Sequence, residues 1–498
     1  MLCDTLLSEI RKEILSVSPD LDRRAAVSAL CEQTDDVRPG SLYVCVRGIH
    51  ADGHDSIKKA VQNGASMVLL DRTEVCSSCP VPWVLVRDTR ACLLPLYLSF
   101  AGHPERAMRF CAVTGTNGKT SVTYLSEAIF EARERCAVLG TVENRIAGTV
   151  FPADMTTPAP ARLAAFLRKA ADARVTRVLL EASSHALSQK RLAGLTFECG
   201  IFTNLTEDHL DYHKTREDYY SCKRSLFSAC TSGAVNADDL SGRRLLDDPA
   251  FSGHLHGFSV GGNAEYACSG IHTTADGSDF RFSSPEGTAS VHLPLCGGFM
   301  ISNAAAALTC AVLCGVPLPE AAAALAHCRP VPGRMERIVS ESFSVYLDYA
   351  HTPDALSRAL ETLRAETKGR LLLLFGCGGD REREKRPQMG ALAAEYADFF
   401  LVTDDNPRTE DPEDIRRDIR AGIPAGTAYA EIPGRETAIR LLLAKARPGD
   451  TVLLAGKGHE NYMIDRTGKH PFSERDIVRD ALSVLTDERT IKSDENTV

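Results

Sequence analysis

The 498-residue sequence predicts an α/β protein of three domains. Three observations carry that expectation. The chain is too long for one hydrophobic core, which stops growing at roughly 250–300 residues. Short apolar runs of strand length alternate with segments of helical period, the pattern of mostly parallel sheets. Polar turns follow several of those runs, and α/β sheets bind ligands at the carboxyl ends of their strands. The expected architecture is a small α/β domain over 1–104, a central P-loop domain with a mostly parallel sheet over 105–332, and a Rossmann-like domain over 333–498.

In the first domain, residues 42–46, 67–70 and 83–86 read as strands, and 56–63 as a short helix ending near Gly64. Residues 91–101 read as a helix, stopped by Gly102-His103-Pro104. In the second, 110–113, 178–180 and 199–202 are apolar strands. The stretch 230–294 is choppier and of β type, and 304–313 is an Ala-rich helix. Arg329-Pro330-Val331-Pro332-Gly333-Arg334 breaks helices and reads as a linker. In the third, 345–347, 371–375, 399–402 and 451–454 are strands and 354–365 a helix, with a polar, frayed tail from Thr486.

Apolar content of 44% and charged content of 25% are those of ordinary globular proteins. A net charge of −9 argues against a protein that coats nucleic acid. The first residues carry acids and no long apolar core, so no signal peptide is expected, and no run of 18 apolar residues suggests a membrane span. Seventeen cysteines cannot all pair within one chain. Cys45, Cys111 and Cys310 lie in apolar runs, as reduced cysteines do. The lone Cys76-Ser77-Ser78-Cys79 reads as a surface loop before a metal or redox site. Reduced thiols point to the cytoplasm.

Thr114-Gly115-Thr116-Asn117-Gly118-Lys119-Thr120 follows a strand and opens a helix with apolar Val122, Leu125 and Ile129. Glycines let backbone N–H groups approach phosphate, and the helix N-terminus adds a positive dipole end. Lys119 would reach the outer phosphates and Thr120 would sit on Mg²⁺. The full pattern wants a further glycine where Val113 stands. Glu181 and His209 lie at strand ends in the same domain. Glu181 suits Mg²⁺, although a solvated strand-end acid reads as well, and His is a less usual ligand. Lys223, on an amphipathic turn over 219–227, reads by itself as a surface charge. In the third domain the turns at Gly376-Cys377-Gly378-Gly379-Asp380-Arg381, Asp404-Asp405-Asn406-Pro407-Arg408 and Gly456-Lys457-Gly458-His459-Glu460 follow successive strands. Two arginines would clamp a carboxylate and Glu460 would accept from an ammonium, which suits a zwitterionic amino acid.

These motifs together resemble the Mur ligase family, and within it the synthetases that add the third residue of the peptidoglycan stem peptide. The resemblance covers nearly the whole chain. It rests on the loop from Gly115 to Thr120, Glu181-Ala182-Ser183-Ser184-His185, Asn204-Leu205-Thr206-Glu207-Asp208-His209-Leu210-Asp211-Tyr212-His213, Val331-Pro332-Gly333-Arg334-Met335-Glu336, Asp348-Tyr349-Ala350-His351-Thr352-Pro353-Asp354, the Gly376 turn and Asp405-Asn406-Pro407-Arg408. The short phosphate loop is this family's own form.

The resemblance implies an ATP- and Mg²⁺-dependent amide ligase. ATP phosphorylates a carboxylate and an incoming amine displaces the phosphate. It assigns Lys119, Lys223 and His209 to catalysis, and Thr120, Glu181, His209 and Lys223 (as a carbamate) to metal. It assigns Gly115, Thr116, Asn117, Gly118, Lys119, Thr120, Ser121, Asn303, Arg334, Asp348 and His351 to ATP. Thr34, His54, Thr156, Thr157, Ser183, Gln189 and Arg191 match the UDP-muramoyl dipeptide site, and Arg381, Asn406, Arg408, Gly456 and Glu460 the amino-acid pocket. The Asp-Asn-Pro-Arg form resembles enzymes that use meso-diaminopimelate, with lysine and ornithine as alternatives. The chain departs from the family at Gln33-Thr34-Asp35, where an arginine is lost, and at Glu384, where glycine is usual. A soluble monomer acting on small molecules is expected.

Overall fold

The structure, a computed structural model, describes residues 1–48, 51–274 and 276–495, with side chains at all of these except 210, 211 and 485–495. The chain divides into two compact units, the first made of 1–114, 133–200 and 222–232, the second of the remainder.

The first unit opens with a five-stranded sheet. Its spatial order is Ile14–Val17, Trp83–Val86, Ala65–Leu70, Ser41–Val44, Leu30–Cys31. Only the Ile14–Val17 edge runs antiparallel. That edge strand and Leu30–Cys31 escape sequence reading because each is short and lacks alternation. Helix Thr89–Phe100 packs Leu93 and Leu96 on one face of this sheet, and Ile57–Gln62 packs Ala60 on the other. Asp88 caps the longer helix, accepting from Arg90 N.

The same unit holds Arg109–Thr114, Arg177–Glu181 and Cys136–Leu139 as adjacent parallel strands. They are apolar and buried on both faces, as parallel strands are. An antiparallel hairpin follows, Glu143–Ile146 with Thr149–Pro152, turning at Ala147 (φ 49°) and Gly148 (φ 81°). Helix Pro160–Asp172 buries Leu163, Ala164, Leu167 and Ala170, a stripe at helical spacing.

In the second unit, helix Lys119–Glu131 buries Val122, Leu125 and Ile129 as its spacing predicts, against helix Gly298–Leu313. The latter starts six residues earlier than its alanine run suggests, because Gly298-Phe299-Met300-Ile301 joins the helix. The choppy stretch contains antiparallel strands Tyr266–Thr274, Gly277–Ser284 and Gly287–Leu293 and a capped helix, Leu240–Leu246.

The last sheet runs Glu336–Ser340, Ser344–Asp348, Thr451–Ala455, Leu371–Phe375, Phe399–Val402, Tyr429–Glu431, all parallel but the first. Thr451–Ala455 therefore sits between two strands that precede it by 70 residues or more. The turns after four neighbouring strands leave by one edge, which is what gathers the candidate site. Helix Glu474–Glu495 continues through the stretch from Thr486, where a frayed tail was expected. Cys45, Cys111 and Cys310 are buried, as their apolar runs suggest. Cys76 and Cys79 flank an exposed turn at Ser77-Ser78, and both are half-buried against the N-terminal core. Among the described residues no helix is long and apolar enough to cross a membrane.

Candidate functional site

The phosphate loop is Gly115–Gly118, between a buried strand and the helix that begins at Lys119. Gly118 takes the helix N-cap position at φ 87°, and a Cβ there would stand 2.4 Å from Asn303 Oδ1. Only glycine fits. The loop is held from outside. Asn204 O accepts from Thr116 N at 2.9 Å and Asn204 Oδ1 from Asn117 N at 3.0 Å. Thr203 Oγ1 donates to Asn117 O at 2.6 Å, and Asn117 Nδ2 donates to Asp354 Oδ2 at 2.9 Å. Lys119 Nζ donates to Gly115 O and Thr116 O, both at 2.9 Å, so its cation is held at the loop. Thr120, Ser121 and Asn303 are buried beside it.

Arg334 donates to Thr120 Oγ1 at 3.4 Å, and its guanidinium lies 4.6 Å from the centre of the Tyr349 ring. Asp348 fixes the loop that carries Arg334: its oxygens accept from Met335 N at 2.6 Å and Ala350 N at 2.8 Å. Burial pushes the Asp348 carboxyl up, against the pull of Arg334. Burial and Lys385 hold the His351 ring below the usual histidine range, and Lys385 Nζ donates to His351 O at 2.8 Å.

A cavity of about 200 Å³ opens at the sheet edge. All five residues assigned to an amino acid line it: Arg381, Asn406, Arg408, Gly456 and Glu460. His209 and His351, expected on the metal and nucleotide side, line it too, with Asp208. Burial pushes Asp208 up, but the charges of His209, His351, Lys385 and Lys119 hold it below the usual carboxylate range. The glycine turn at 376–379 lies against the Asp-Asn-Pro-Arg turn, where a Cβ on Gly379 would meet Pro407 O at 1.9 Å. Arg408 Nη1 donates to Gly379 O at 2.8 Å, and its backbone is left-handed at φ 52°. His209 (φ 57°), Met335 (φ 45°) and Asp380 (φ 52°) share that strain, which concentrates at sites where geometry is over-determined.

The first unit gathers a second cluster. Glu181 is 1% exposed, so it is no solvated strand-end acid. Its Oε1 accepts from Thr141 N at 2.9 Å and its Oε2 from Thr141 Oγ1 at 2.7 Å. Thr156 Oγ1 lies 3.0 Å from the same hydroxyl. Thr157 Oγ1 donates to Glu181 O at 2.6 Å and lies 3.1 Å from Ser183 Oγ. Arg191 donates to Thr157 O and to Gln189 Oε1, both at 2.8 Å. Lys223 is 1% exposed, which removes the surface-charge reading, and its neighbour Cys222 ties that helix to Ser184 O.

Thr34 and His54 join no hydrogen bond of that cluster. Thr34 sits half-buried in a short turn with its hydroxyl on Asp35 Oδ1 at 3.3 Å. His54 has a buried ring with Nδ1 2.6 Å from Asp52 Oδ1, and its Nε2 accepts from Asp71 N at 3.2 Å. Its ring therefore braces the loop around Asp52. Sequence reading gave no role to Asn204, Asp354, Tyr349, Lys385 or Lys457. All but Lys385 lie inside motifs it quoted, but which way each side chain points was not legible there.

Residues 113–311 match the Mur ligase middle domain, 333–458 the Mur ligase glutamate ligase domain, and 33–93 the Mur ligase family catalytic domain. The chain is 37% identical over 461 residues to the UDP-N-acetylmuramoyl-L-alanyl-D-glutamate–2,6-diaminopimelate ligase of Bacillus velezensis, covering 90% of this chain and 93% of that one. A solved structure of a ligase with that same name superposes with a TM-score of 0.68 at 31% identity, covering 98% and 99% of the two chains. The MurF ligase of Thermotoga maritima, solved with ADP, shares the fold at a TM-score of 0.59 and 18% identity, over 93% of this chain and 98% of that one.

Proposed function

Because the chain belongs to the Mur ligase family, we propose that it joins meso-2,6-diaminopimelate to UDP-N-acetylmuramoyl-L-alanyl-D-glutamate with consumption of ATP. It is an ATP-dependent amide ligase of peptidoglycan synthesis. The dipeptide's terminal carboxylate takes the γ-phosphoryl group, ADP leaves, and the acyl phosphate is attacked by the amine to give amide and phosphate. A carboxylate is a poor acyl donor, and phosphorylation supplies the leaving group. The protein's work is positioning and neutralising negative charge.

In this reading the loop N–H groups, Lys119 and Thr120 hold the phosphates. A cavity of about 450 Å³ lined by Asn204, Asn236, Phe299 and Ser302 receives the nucleoside, because Asn204 also anchors the loop. Glu181, Thr120 and a carbamylated Lys223 would offer oxygen donors to Mg²⁺ and His209 a nitrogen, and the ion would shield phosphate charge. Burial of Glu181 and Lys223 supports this, since a carbamate turns a buried cation into an anionic ligand. Asn303, Arg334, Asp348 and His351 serve the nucleotide. Thr156, Thr157, Ser183, Gln189 and Arg191 hold the muramoyl dipeptide, with Thr34 and His54 shaping the uridine end. Arg381, Asn406, Arg408, Gly456 and Glu460 take the diamino acid.

We divide the chain at 104 and 332 into muramoyl-binding, ATP-binding and amino-acid-binding domains, and the three family matches fall within those bounds. We place the enzyme in the cytoplasm, as a monomer. The observation that carries the reading is the single cavity where two arginines, Asn406 and Glu460 meet Asp208 and His209. Phosphate release is measured with ATP, Mg²⁺ and the UDP-dipeptide, adding meso-diaminopimelate, L-lysine or L-ornithine. Preference for diaminopimelate is expected. Release only with D-alanyl-D-alanine or glutamate would refute it.

A further inference from the structure

Of the turn at 456–460, the proposed function uses Gly456 and Glu460 and leaves Lys457 without a task. Lys457 is fully buried and does not line the cavity. An unpaired ammonium there would be prohibitively costly. Its Nζ instead donates to Asn406 Oδ1 at 2.9 Å and Glu460 Oε2 at 3.0 Å, with Asp405 Oδ1 at 3.7 Å. Arg435, also fully buried, donates to Glu474 Oε1 at 2.8 Å and stands 3.9 Å from Asp405 Oδ2. Burial pushes the Asp405 carboxyl up, but Lys457 and Arg435 outweigh it and hold the group charged.

We propose that Lys457 is the positioning residue that sets the polarity of the amino-acid pocket. It fixes Asn406 as a donor and Glu460 as an acceptor toward the incoming diamino acid. Hydrogen-bond capacity fixes both orientations. Asn406 Oδ1 accepts from Lys457 Nζ and also from Ile464 N at 2.9 Å, so both its lone pairs are used by donors. Turning the amide over would set its N–H groups against those donors. Nδ2 must therefore face the pocket. One of its protons goes to Glu460 Oε2 at 2.9 Å, and the other is directed at the ligand's carboxylate. Glu460 Oε2 is taken by Lys457 and Asn406, so Oε1 is left as the acceptor for ammonium. Oε1 has a long contact with Tyr349 Oη at 3.5 Å, and the Tyr462 hydroxyl hydrogen-bonds the same carboxylate, which leaves lone-pair capacity facing the ligand. A pocket with one donor end and one acceptor end orders a zwitterion. With a mobile amide it would not.

This inference rests on the cavity's being the diamino-acid site, and the experiment separates the two. Steady-state constants are measured for the parent, Arg408→Ala, Lys457→Met and Lys457→Gln. Lys457→Met should raise KM for meso-diaminopimelate roughly ten- to a hundredfold, the range for losing a charge-assisted bond. KM for ATP and for the UDP-dipeptide should stay within about twofold. Lys457→Gln keeps a donor for Asn406 Oδ1 without the charge, and should recover part of the loss. It also serves if the methionine variant does not fold. In an Asn406→Leu background, Lys457→Gln should add little, since Lys457 acts through Asn406. An unchanged diaminopimelate KM in a folded Lys457 variant, or an equal rise in all three KM values, overturns the proposal. If Arg408→Ala also leaves that KM unchanged, the pocket itself is misassigned.

Discussion

Gly118→Ala tests the phosphate loop, and the molecule supplies its own control. Gly118 stands at φ 87°, and Gly148, in the hairpin turn, at φ 81°. Alanine at either position incurs the left-handed penalty, about 1–2 kcal/mol. The surroundings differ. A Cβ on Gly148 meets nothing within 4 Å, whereas one on Gly118 lies 2.4 Å from Asn303 Oδ1 and 3.6 Å from Thr203 Cγ2. Asn303 is itself buried and is followed on its helix by the wholly buried Ala304 to Ala307, so it has little room to retreat. The loop must move. Displacing one N–H from a phosphate oxygen costs about 1.5–3 kcal/mol, roughly ten- to 150-fold in affinity. Calorimetric titration of ADP into the parent and both variants measures this, with KM for ATP and for the UDP-dipeptide alongside. Gly118→Ala should weaken ADP binding by at least about tenfold and leave the dipeptide KM unchanged. Gly148→Ala should bind ADP as the parent does. Equal ADP affinity in the two variants would refute the reasoning, because it would reduce Gly118 to an ordinary turn glycine.

Lys119→Ala should abolish phosphate release while circular dichroism and thermal melting stay near the parent, and retained turnover would remove the cradle assignment. Arg408→Ala should lower kcat/KM for meso-diaminopimelate more than any residual turnover of L-lysine, which has no second carboxylate to clamp. Equal losses would detach Arg408 from substrate choice. Glu410 gives a pH test. The Arg386 guanidinium, with Asp380 N and Arg383, holds its carboxyl down at about 2 from an ordinary 4.5, against a smaller opposing effect of burial. A depressed folded value means the contribution is complete above about pH 5 and fades as pH falls toward 2. The difference would correspond to about 3 kcal/mol unscreened, and solvent screening of this partly exposed group cuts it to about 1 kcal/mol. Glu410→Gln should therefore lower the urea midpoint of its domain at pH 7 and have little effect near pH 2. A loss that does not change with pH would show that packing, not charge, is what Glu410 supplies.

Strands at 83–86, 371–375 and 399–402 fall where the sequence puts them. Each is a buried apolar run bounded by polar or turn residues, so one local signal suffices. Helix Gly298–Leu313 is less legible at its start, since a glycine pair followed by Phe and Met carries no start signal while the alanines behind it do. The buried ion pairs are not legible at all. Arg435 and Glu474 are 39 residues apart, and Arg386 and Glu410 are 24 apart. Either pair read alone is two surface charges. Only the strand order, which sets the last strand between two earlier ones, brings their turns to one edge.

The candidate site shows the same division in sharper form. Motif reading finds the residue types that chemistry needs and assumes that each faces a ligand. In the structure several are committed to the framework instead. Asn204 spends its amide on the backbone of Asn117, Asp348 on the amides of Met335 and Ala350, and His54 on Asp52 and Asp71. What these residues give the reaction is geometry. They hold backbone N–H groups and a few cations where negative charge develops, and a preorganised donor loses nothing to reorganisation at that moment. Replacing such a residue should therefore spread its effect over the loop it braces, whereas replacing Arg408 or Glu460 should fall on one substrate. Sequence can rank both kinds as important, but only the contact map tells a brace from a ligand.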